Sequence, residues 1–241
     1  MRNYGVIGFP LAHSFSPEYF KQKFLKENIE ATYAAFPLED LKQIRALVKE
    51  KNLSGFNVTI PYKEKMVSLL DSLSDEAKEI GAVNCVKVEN DKLNGFNTDA
   101  YGFQIALNEV MKSKHEHALV LGLGGASRAV KYALKKSGIN FKSVARDKSK
   151  GDLLWNELTE KIISENLLII NCTPLGMFPN EKSFPPLPYS AITAKHLLFD
   201  LVYNPAETLF MKNGKEKGAQ VSNGLRMLEL QADKSWGIWN R

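Results

Sequence analysis

Two ionisable side chains sit where the chain pattern gives a charge special surroundings. Pro61 is placed to open a helix through Met66, Leu69 and Leu70, with Lys63 in its first turn. There the positive end of the helix dipole and partial burial both disfavour an ammonium, moving a lysine towards the range useful for proton transfer. The plain alternative is a solvated lysine paired with Glu64 or nearby acids. In the stretch NTDAYGFQIALNEV, Thr98 suits an N-cap and Asp99 falls in the first turn, where the dipole keeps a carboxylate ionised. Such an aspartate commonly only complements the dipole; beside Lys63 it would orient the amine. In the loop LAHSFSP, Ser14 and Ser16 stand just ahead of Pro17, and two hydroxyls beside exposed helix amides make an anion site suited to a carboxylate. From this segment alone Ser16 reads first as a simple N-cap, and His13, a possible proton carrier, reads more simply as structural. Asn57 and Thr59 are two apart on a strand over 56–60, so they share a face and can hydrogen-bond one ligand. Asn84 either faces that ligand or satisfies the backbone.

A second set of residues suits a phosphate. The stretch 117–136, HALVLGLGGASRAVKYALKK, runs from an apolar strand through Gly122, Gly124 and Gly125 into a helix with Ala126, Ala129, Val130, Ala133 and Leu134 on one face and Gly138 as its left-handed cap. Gly122 permits a tight turn, Gly124 lets backbone approach a ligand, and the helix start holds a pyrophosphate. Ser127 replaces the third glycine of the usual fingerprint, and a ligand-free αβ turn is the bland alternative. Strands over 141–145 and 167–171 complete a βαβαβ half, which favours dinucleotide binding. In VARDKSK, after the second strand, Arg146, Lys148 and Lys150 favour the 2′-phosphate of NADP. Asp147 either repels that phosphate or pairs with a neighbour. The loop CTPLGM after 167–171 falls where a nicotinamide would lie. A strand over 196–202 ends at Tyr203, which lines a cleft or packs in the core. Gly224 opens a last helix, GLRMLELQADKSWGIW; Leu225, Leu228 and Ala232 share one face and Gln231 projects towards a neighbouring site. Met227 suits packing, and also the flat surface of a nicotinamide.

The elements that must position these groups alternate. A strand over 4–9 precedes a helix through Phe20, Phe24 and Leu25. A strand over 31–36 follows, then an amphipathic helix over 38–49 carrying Leu41, Ile44, Leu47 and Val48 inward, and strands over 83–88 and 92–96 flank a turn at 89–91. This is an α/β unit separate from the nucleotide-binding one. At 241 residues, 44% hydrophobic and 24% charged, the chain reads as an ordinary soluble protein of one large or two modest domains. The net charge of +5 fits anionic ligands, but the charges are scattered, so nucleic acid is not implied. Cys85 and Cys172 lack metal-ligand spacing, no secretory leader precedes the first strand, and no apolar run reaches membrane-spanning length. A reducing cytoplasm is the simplest setting, and neither a repeat nor a low-complexity segment is present.

Together these pieces strongly resemble the shikimate dehydrogenase family. The motifs are SFSP (14–17), NVTIPYK (57–63), GAVN (81–84), NTDAYGF (97–103), GLGGASRAV (122–130), NCTPLGM (171–177) and GLRMLELQA (224–232), in the family's order over nearly the whole chain. The resemblance implies two α/β domains: a substrate domain of 1–99 completed by the C-terminal helix, 224–241, and a Rossmann-type NADP-binding domain, 100–223, with shikimate bound against NADP in the cleft between. It implies Lys63 and Asp99 as the catalytic pair, and Ser14 and Ser16 on the substrate carboxylate. Asn57, Thr59, Asn84 and Gln231 would contact ring hydroxyls or the catalytic groups, and Tyr203 would line the site. Gly122, Gly124, Gly125, Ala126, Ser127, Arg146, Thr173, Gly224 and Met227 would hold the cofactor, with no metal. Where the family often has Asn-Arg-Thr, this chain has Ala145, Arg146 and Asp147. The implied activity is reversible reduction of 3-dehydroshikimate to shikimate on the route to chorismate and aromatic amino acids, by a monomer or homodimer without nucleic-acid or membrane partners. The rivals are a quinate/shikimate dehydrogenase using NAD and a catalytically silent NADP-binding sensor.

Overall fold

In a computed structural model, which describes residues 1–11 and 14–241, the chain forms two compact units, each built on a six-stranded sheet. His13 lies outside the described residues. Unit 1 comprises Met1–Tyr101 and Glu229–Arg241, and unit 2 is Gly102–Leu228.

Unit 1 begins β1 (Arg2–Gly8), α1 (Ser16–Glu27), β2 (Ala31–Pro37), α2 (Ile44–Glu50) and β3 (Leu53–Val58). It continues with β4 (Ser72–Leu73), α3 (Asp75–Ile80), β5 (Cys85–Glu89), β6 (Lys92–Phe96) and the start of α4 (Asp99–Val110). The sheet order is β2-β1-β3-β5-β6-β4; β1 is parallel to β2 and β3, while β3, β5 and β6 run antiparallel in turn. The β5–β6 hairpin turns through Asn90 and Asp91, both left-handed at φ 51° and 60°, as a two-residue turn of the favoured twist requires. Ile7, Phe56, Val58, Met66 and Val86 fill one side of the sheet; Tyr4, Phe20, Phe24, Ile238 and Trp239 fill the other.

Three local expectations are corrected. The helix expected over 38–49 starts as a 3-10 turn at Leu41–Gln43, capped by Asp40, and becomes α2 only at Ile44, because the Leu38 amide continues the sheet by bonding to Gly8 O. The strand expected over 56–60 ends at Val58, which puts Thr59 in the following turn, its N–H on Ile7 O. Pro61 opens no α-helix, and Lys63 is not in a first turn: only the 3-10 helix Lys65–Leu69 forms. The cause is visible in the backbone, where Lys63 O accepts from Val83 N at 2.8 Å and the Val67 amide bonds instead to Glu64 O.

Unit 2 contains β7 (His117–Leu121), α5 (Gly125–Lys136), β8 (Asn140–Ala145), β9 (Leu153–Leu154), α6 (Glu160–Glu165), β10 (Leu168–Asn171), β11 (Leu197–Asp200), α7 (Leu209–Glu216) and β12 (Gln220–Ser222). All six strands are parallel, ordered β12-β11-β10-β7-β8-β9. Counted from β7 this is the 3-2-1-4-5-6 order of a dinucleotide-binding sheet, with its switch between β7 and β10. Leu119, Leu121, Ile169 and Leu198 are buried among Ile163, Phe210 and Met211, as strands covered on both faces require.

The chain ends in α8 (Leu225–Trp239). The expected face is partly wrong: Leu225 is exposed, whereas Met227, Gln231, Ala232, Ser235, Ile238 and Trp239 are buried. The tryptophans turn the helix. Trp239 stacks on Tyr4 at 4.8 Å and its Nε1 donates to Val86 O, and its ring lies so close to Gly55 that a Cβ there would meet it at 2.5 Å. Among the described residues no helix is long and apolar enough to cross a membrane, and no group of His, Cys, Asp and Glu could hold a metal ion.

Candidate active site

Lys63 and Asp99, 36 residues apart, meet in unit 1: Nζ lies 2.6 Å from Oδ2. Lys63 thus pairs with Asp99 and is largely buried rather than solvated. Asp99 lies in the first turn of α4, and Lys63 stands in the turn whose carbonyl is held by Val83 N. The lysine side chain is 16% exposed and the aspartate 4%, so the amine keeps one approach to solvent or substrate while the carboxylate does not.

Behind the pair runs a buried polar network. Asn84 Nδ2 donates to Asp99 Oδ1 (2.9 Å), Thr98 Oγ1 (2.9 Å) and Gln231 Oε1 (3.2 Å), and Asn84 Oδ1 accepts from Thr98 N (2.6 Å). Asn57 Nδ2 donates to Asn84 O and Ser235 Oγ, each at 3.0 Å, and its Oδ1 accepts from Tyr33 Oη at 2.8 Å. Both amide protons of Asn57 are thus spent inside the protein. Thr98 is no simple N-cap, since its hydroxyl joins the network while Asn97 Oδ1 takes the Ala100 amide. Thr59 lies one residue past the end of β3.

At the start of α1, the cap position is Phe15 and carries no side-chain cap bond, and Ser16 is the first helical residue. Its buried hydroxyl therefore does not serve as the cap. Ser16 instead bears on Tyr33, whose phenol burial pushes well above its ordinary value, with Ser16 opposing the shift. Tyr33 stacks on Phe20 at 4.4 Å and so joins the serine loop to Asn57 and the network. Ser14 is half-buried two residues earlier.

In unit 2 the parallel register sets the ends of β7, β8 and β10 side by side, so the segments after Leu121, Ala145 and Asn171 emerge at one edge. Gly122 takes φ +93°, and a Cβ there would lie 2.8 Å from Thr173 Cγ2, so the turn and the Thr173 loop are in contact. A Cβ on Gly124 would meet nothing within 4 Å; the backbone ahead of Gly125 and Ala126, the first residues of α5, is open to a ligand. Ser127 is buried and its hydroxyl donates to Gly124 O at 2.7 Å, which braces the turn from inside. Thr173 Oγ1 donates to Asn171 Oδ1, and Asn171 Nδ2 donates to the buried Asp200, which also accepts from Thr208 Oγ1 and Val202 N. Burial pushes the Asp200 carboxyl up to about 6, against those hydrogen bonds.

Arg146 is exposed and forms no ion pair among the described residues. Lys148 is committed to Glu157. Asp147 accepts from Ser149 N and Oγ and lies 3.6 Å from Lys150 Nζ; the Ser149 hydroxyl bond, first among these contacts, holds its carboxyl below the ordinary range. The acid is occupied by its own loop, the second of the two readings above. A Cβ on Gly224 would lie 2.1 Å from Leu201 O, a close approach only glycine allows. Met227 is buried and Tyr203 half-buried.

Sequence reasoning missed Tyr33, the network role of Thr98, Ser235, Asn171 and Asp200. A signal existed for Ser235: it follows Gln231 by four residues and so shares its helix face. No spacing marks Tyr33.

Comparison with known proteins identifies the family. Residues 6–86 match the family described as shikimate dehydrogenase substrate binding domain. The chain is 38% identical to the NADP(+) shikimate dehydrogenase of Methanococcus aeolicus, over 98% of this chain and 90% of that protein. It is similar to the structure of shikimate 5-dehydrogenase from Thermus thermophilus in complex with NADP(H) and shikimate (TM-score 0.89, 35% identity, 99% of this chain and 93% of the other). It is also similar to quinate dehydrogenase from Corynebacterium glutamicum in complex with NAD (TM-score 0.90, 26% identity, 99% and 93%). With full-length similarity to a dehydrogenase at this level of identity, a paired lysine and aspartate in one unit and a dinucleotide-type sheet order in the other, this protein belongs to the shikimate dehydrogenase family.

Proposed function

We propose that the protein is an NADP-dependent shikimate dehydrogenase, reversibly reducing 3-dehydroshikimate to shikimate on the route to chorismate and aromatic amino acids. The observation that carries the reading is the Lys63–Asp99 contact of 2.6 Å, held from behind by Asn84. Unit 1 takes the substrate and unit 2 the cofactor. Ser14 and Ser16 hold the substrate carboxylate, and Thr59, Asn84, Gln231 and Tyr203 line or support the ring site. Asn57 acts mainly as framework. In the reductive direction negative charge grows on the substrate oxygen; Lys63 relieves it by giving up a proton, and Asp99 keeps the amine aimed.

The residues of unit 2 fit NADP. Gly122 makes the left-handed turn and Gly124 leaves the backbone open, Gly125, Ala126 and Ser127 begin the helix that faces the pyrophosphate, and Arg146 offers an unspent guanidinium to the 2′-phosphate. Thr173, Gly224 and Met227 belong to the same site, Met227 mainly by packing. When bound, NADPH supplies the hydride. The same reading sets the enzyme in the cytoplasm as a monomer or homodimer with no nucleic-acid or membrane partner.

The likeness to a quinate dehydrogenase favours a second reading, oxidation of quinate with NAD. A silent sensor fits poorly, because it has no use for a buried proton-transfer pair. Shikimate and quinate, each with NADP and with NAD, followed by the reduced-nicotinamide absorbance, decide among them. Fastest turnover of shikimate with NADP is expected; no turnover in any combination refutes the enzyme reading.

A further inference from the structure

We propose that Ser235, on the last helix, is a positioning residue for the Lys63–Asp99 pair, acting through Asn57, Thr98 and Asn84. The proposal rests on the reading of Lys63 and Asp99 as the reacting pair. Ser235 touches neither, so any effect on them must travel through the network.

The hydrogen inventory fixes the direction of each bond. Asn57 has two N–H donors, aimed at Asn84 O and Ser235 Oγ, so the serine oxygen is an acceptor there. The one proton of Ser235 has a carbonyl partner, Gln231 O at 2.8 Å, which can only accept. At the 3.1 Å contact between Thr98 Oγ1 and Ser235 Oγ, the threonine must therefore donate. Thr98 Oγ1 then accepts from Asn84 Nδ2 at 2.9 Å. Ser235 thus accepts from Asn57 and Thr98 and donates to Gln231 O, with the buried Cys85 thiol also beside it, and both asparagine amides are held in one orientation. All these groups are buried, so water cannot replace a lost partner.

Without the Ser235 hydroxyl, Asn57 and Thr98 each lose an acceptor. The acceptor left for Thr98 is Gln231 Oε1 at 3.4 Å, which already takes Asn84 Nδ2 at 3.2 Å. That oxygen has two lone pairs and can take both donors, but Thr98 must close on it from 3.4 Å, away from the position in which it receives Asn84 Nδ2. Asn84 also donates to Asp99 Oδ1, so the disturbance reaches the carboxylate that holds Lys63.

The test uses the full chain as S235A and S235C, with T98V and S235A/T98V to measure coupling. The parental protein is first assayed with shikimate and NADP, and failure at this step counts against the functional reading alone. S235A should lower kcat about 10-fold with an unchanged KM for NADP. S235C, close in volume but a weak acceptor, should be nearly as slow. The S235A/T98V loss should fall short of the product of the single losses. Parental kcat in either serine variant overturns the proposal, as do multiplicative losses in the double variant. If S235A does not fold, S235C carries the kinetic test. A readout free of turnover is the Asp99 carboxyl 13C signal, assigned by its loss in D99N: it should move in the serine variants, and an unmoved signal overturns the proposal whatever the substrate.

Discussion

Lys63→Met keeps most of the stem and removes the charge, so it isolates what the amine does. At 2.6 Å the Coulomb attraction between Nζ and Oδ2 is on the order of 6 kcal/mol at an effective dielectric of about 20, before desolvation is subtracted. Removing one partner of a buried pair typically costs about 3–5 kcal/mol. Here the orphaned carboxylate retains the Asn84 N–H at 2.9 Å, and water can reach the space left by a lysine 16% exposed, so the expected loss of stability is smaller, about 2–3 kcal/mol. Turnover should fall further, by about 10²–10⁴, or roughly 2.7–5.5 kcal/mol of barrier, with little change in the binding of shikimate or NADP. Asp99→Asn should be nearly as slow for a separate reason. Its amide cannot accept from both Asn84 Nδ2 and Lys63 Nζ, because one of its two atoms is a donor in either orientation. Steady-state kinetics of both singles and the double variant form the assay, with the double loss expected well short of the product. Lys63→Met turning over shikimate at the parental rate refutes the mechanism; multiplicative losses refute the partnership.

Arg146→Ala should weaken NADP by about 1.5–3 kcal/mol and leave NAD nearly unchanged by titration calorimetry, whereas Asp147→Ala should change NADP affinity little because Ser149 and Lys150 already occupy that acid. Equal weakening of both cofactors would remove Arg146 from the phosphate. Ser16→Ala should raise the KM for shikimate more than that for NADP; a lower melting temperature with unchanged kinetics would instead restore the capping role that its position inside α1 argues against. Asp200, raised from the ordinary 3.8 to about 6, binds more protons folded than unfolded between those values, so its contribution to stability is full below about pH 4 and lost as pH rises through about 6. That contribution is about 2–3 kcal/mol, and Asp200→Asn should flatten the dependence in denaturant titrations from about pH 4 to 7; an unchanged slope refutes the assignment.

The glycine turn was legible because everything it needs is local: an apolar run, three glycines and an amphipathic helix within twenty residues, and the βαβαβ half followed from the alternation. The place of Asp99 in the first turn of α4 was legible for the same reason. For Lys63 the cause expected from the sequence is absent. The expected helix dipole is missing because Val83, twenty residues away, takes the lysine carbonyl, and no pattern within the segment announces that bond. The amphipathic count over 38–49 failed similarly, since it cannot register that the Leu38 amide belongs to the sheet. Tyr33 was out of reach because its meaning lies in a contact 24 residues away, and the Ser235 contact with Asn57, 178 residues away, was signalled only by the helix face it shares with Gln231. In α8, a face drawn through Leu225 ignored the weight of Trp236 and Trp239, which set the helix rotation.

The return of α8 to the first unit bears on how the chain is made. Domains emerging from a ribosome generally fold in order, the earliest first. Here residues 1–101 would emerge with Gly55 facing no Trp239, Val86 O lacking its indole donor, and Asn57 Nδ2 lacking Ser235. The second unit, Gly102–Leu228, is synthesised whole before those partners exist. Maturation of the first unit therefore waits on a segment made after the second: the buried network behind Lys63 and Asp99 lacks Ser235 and Gln231 until α8 docks.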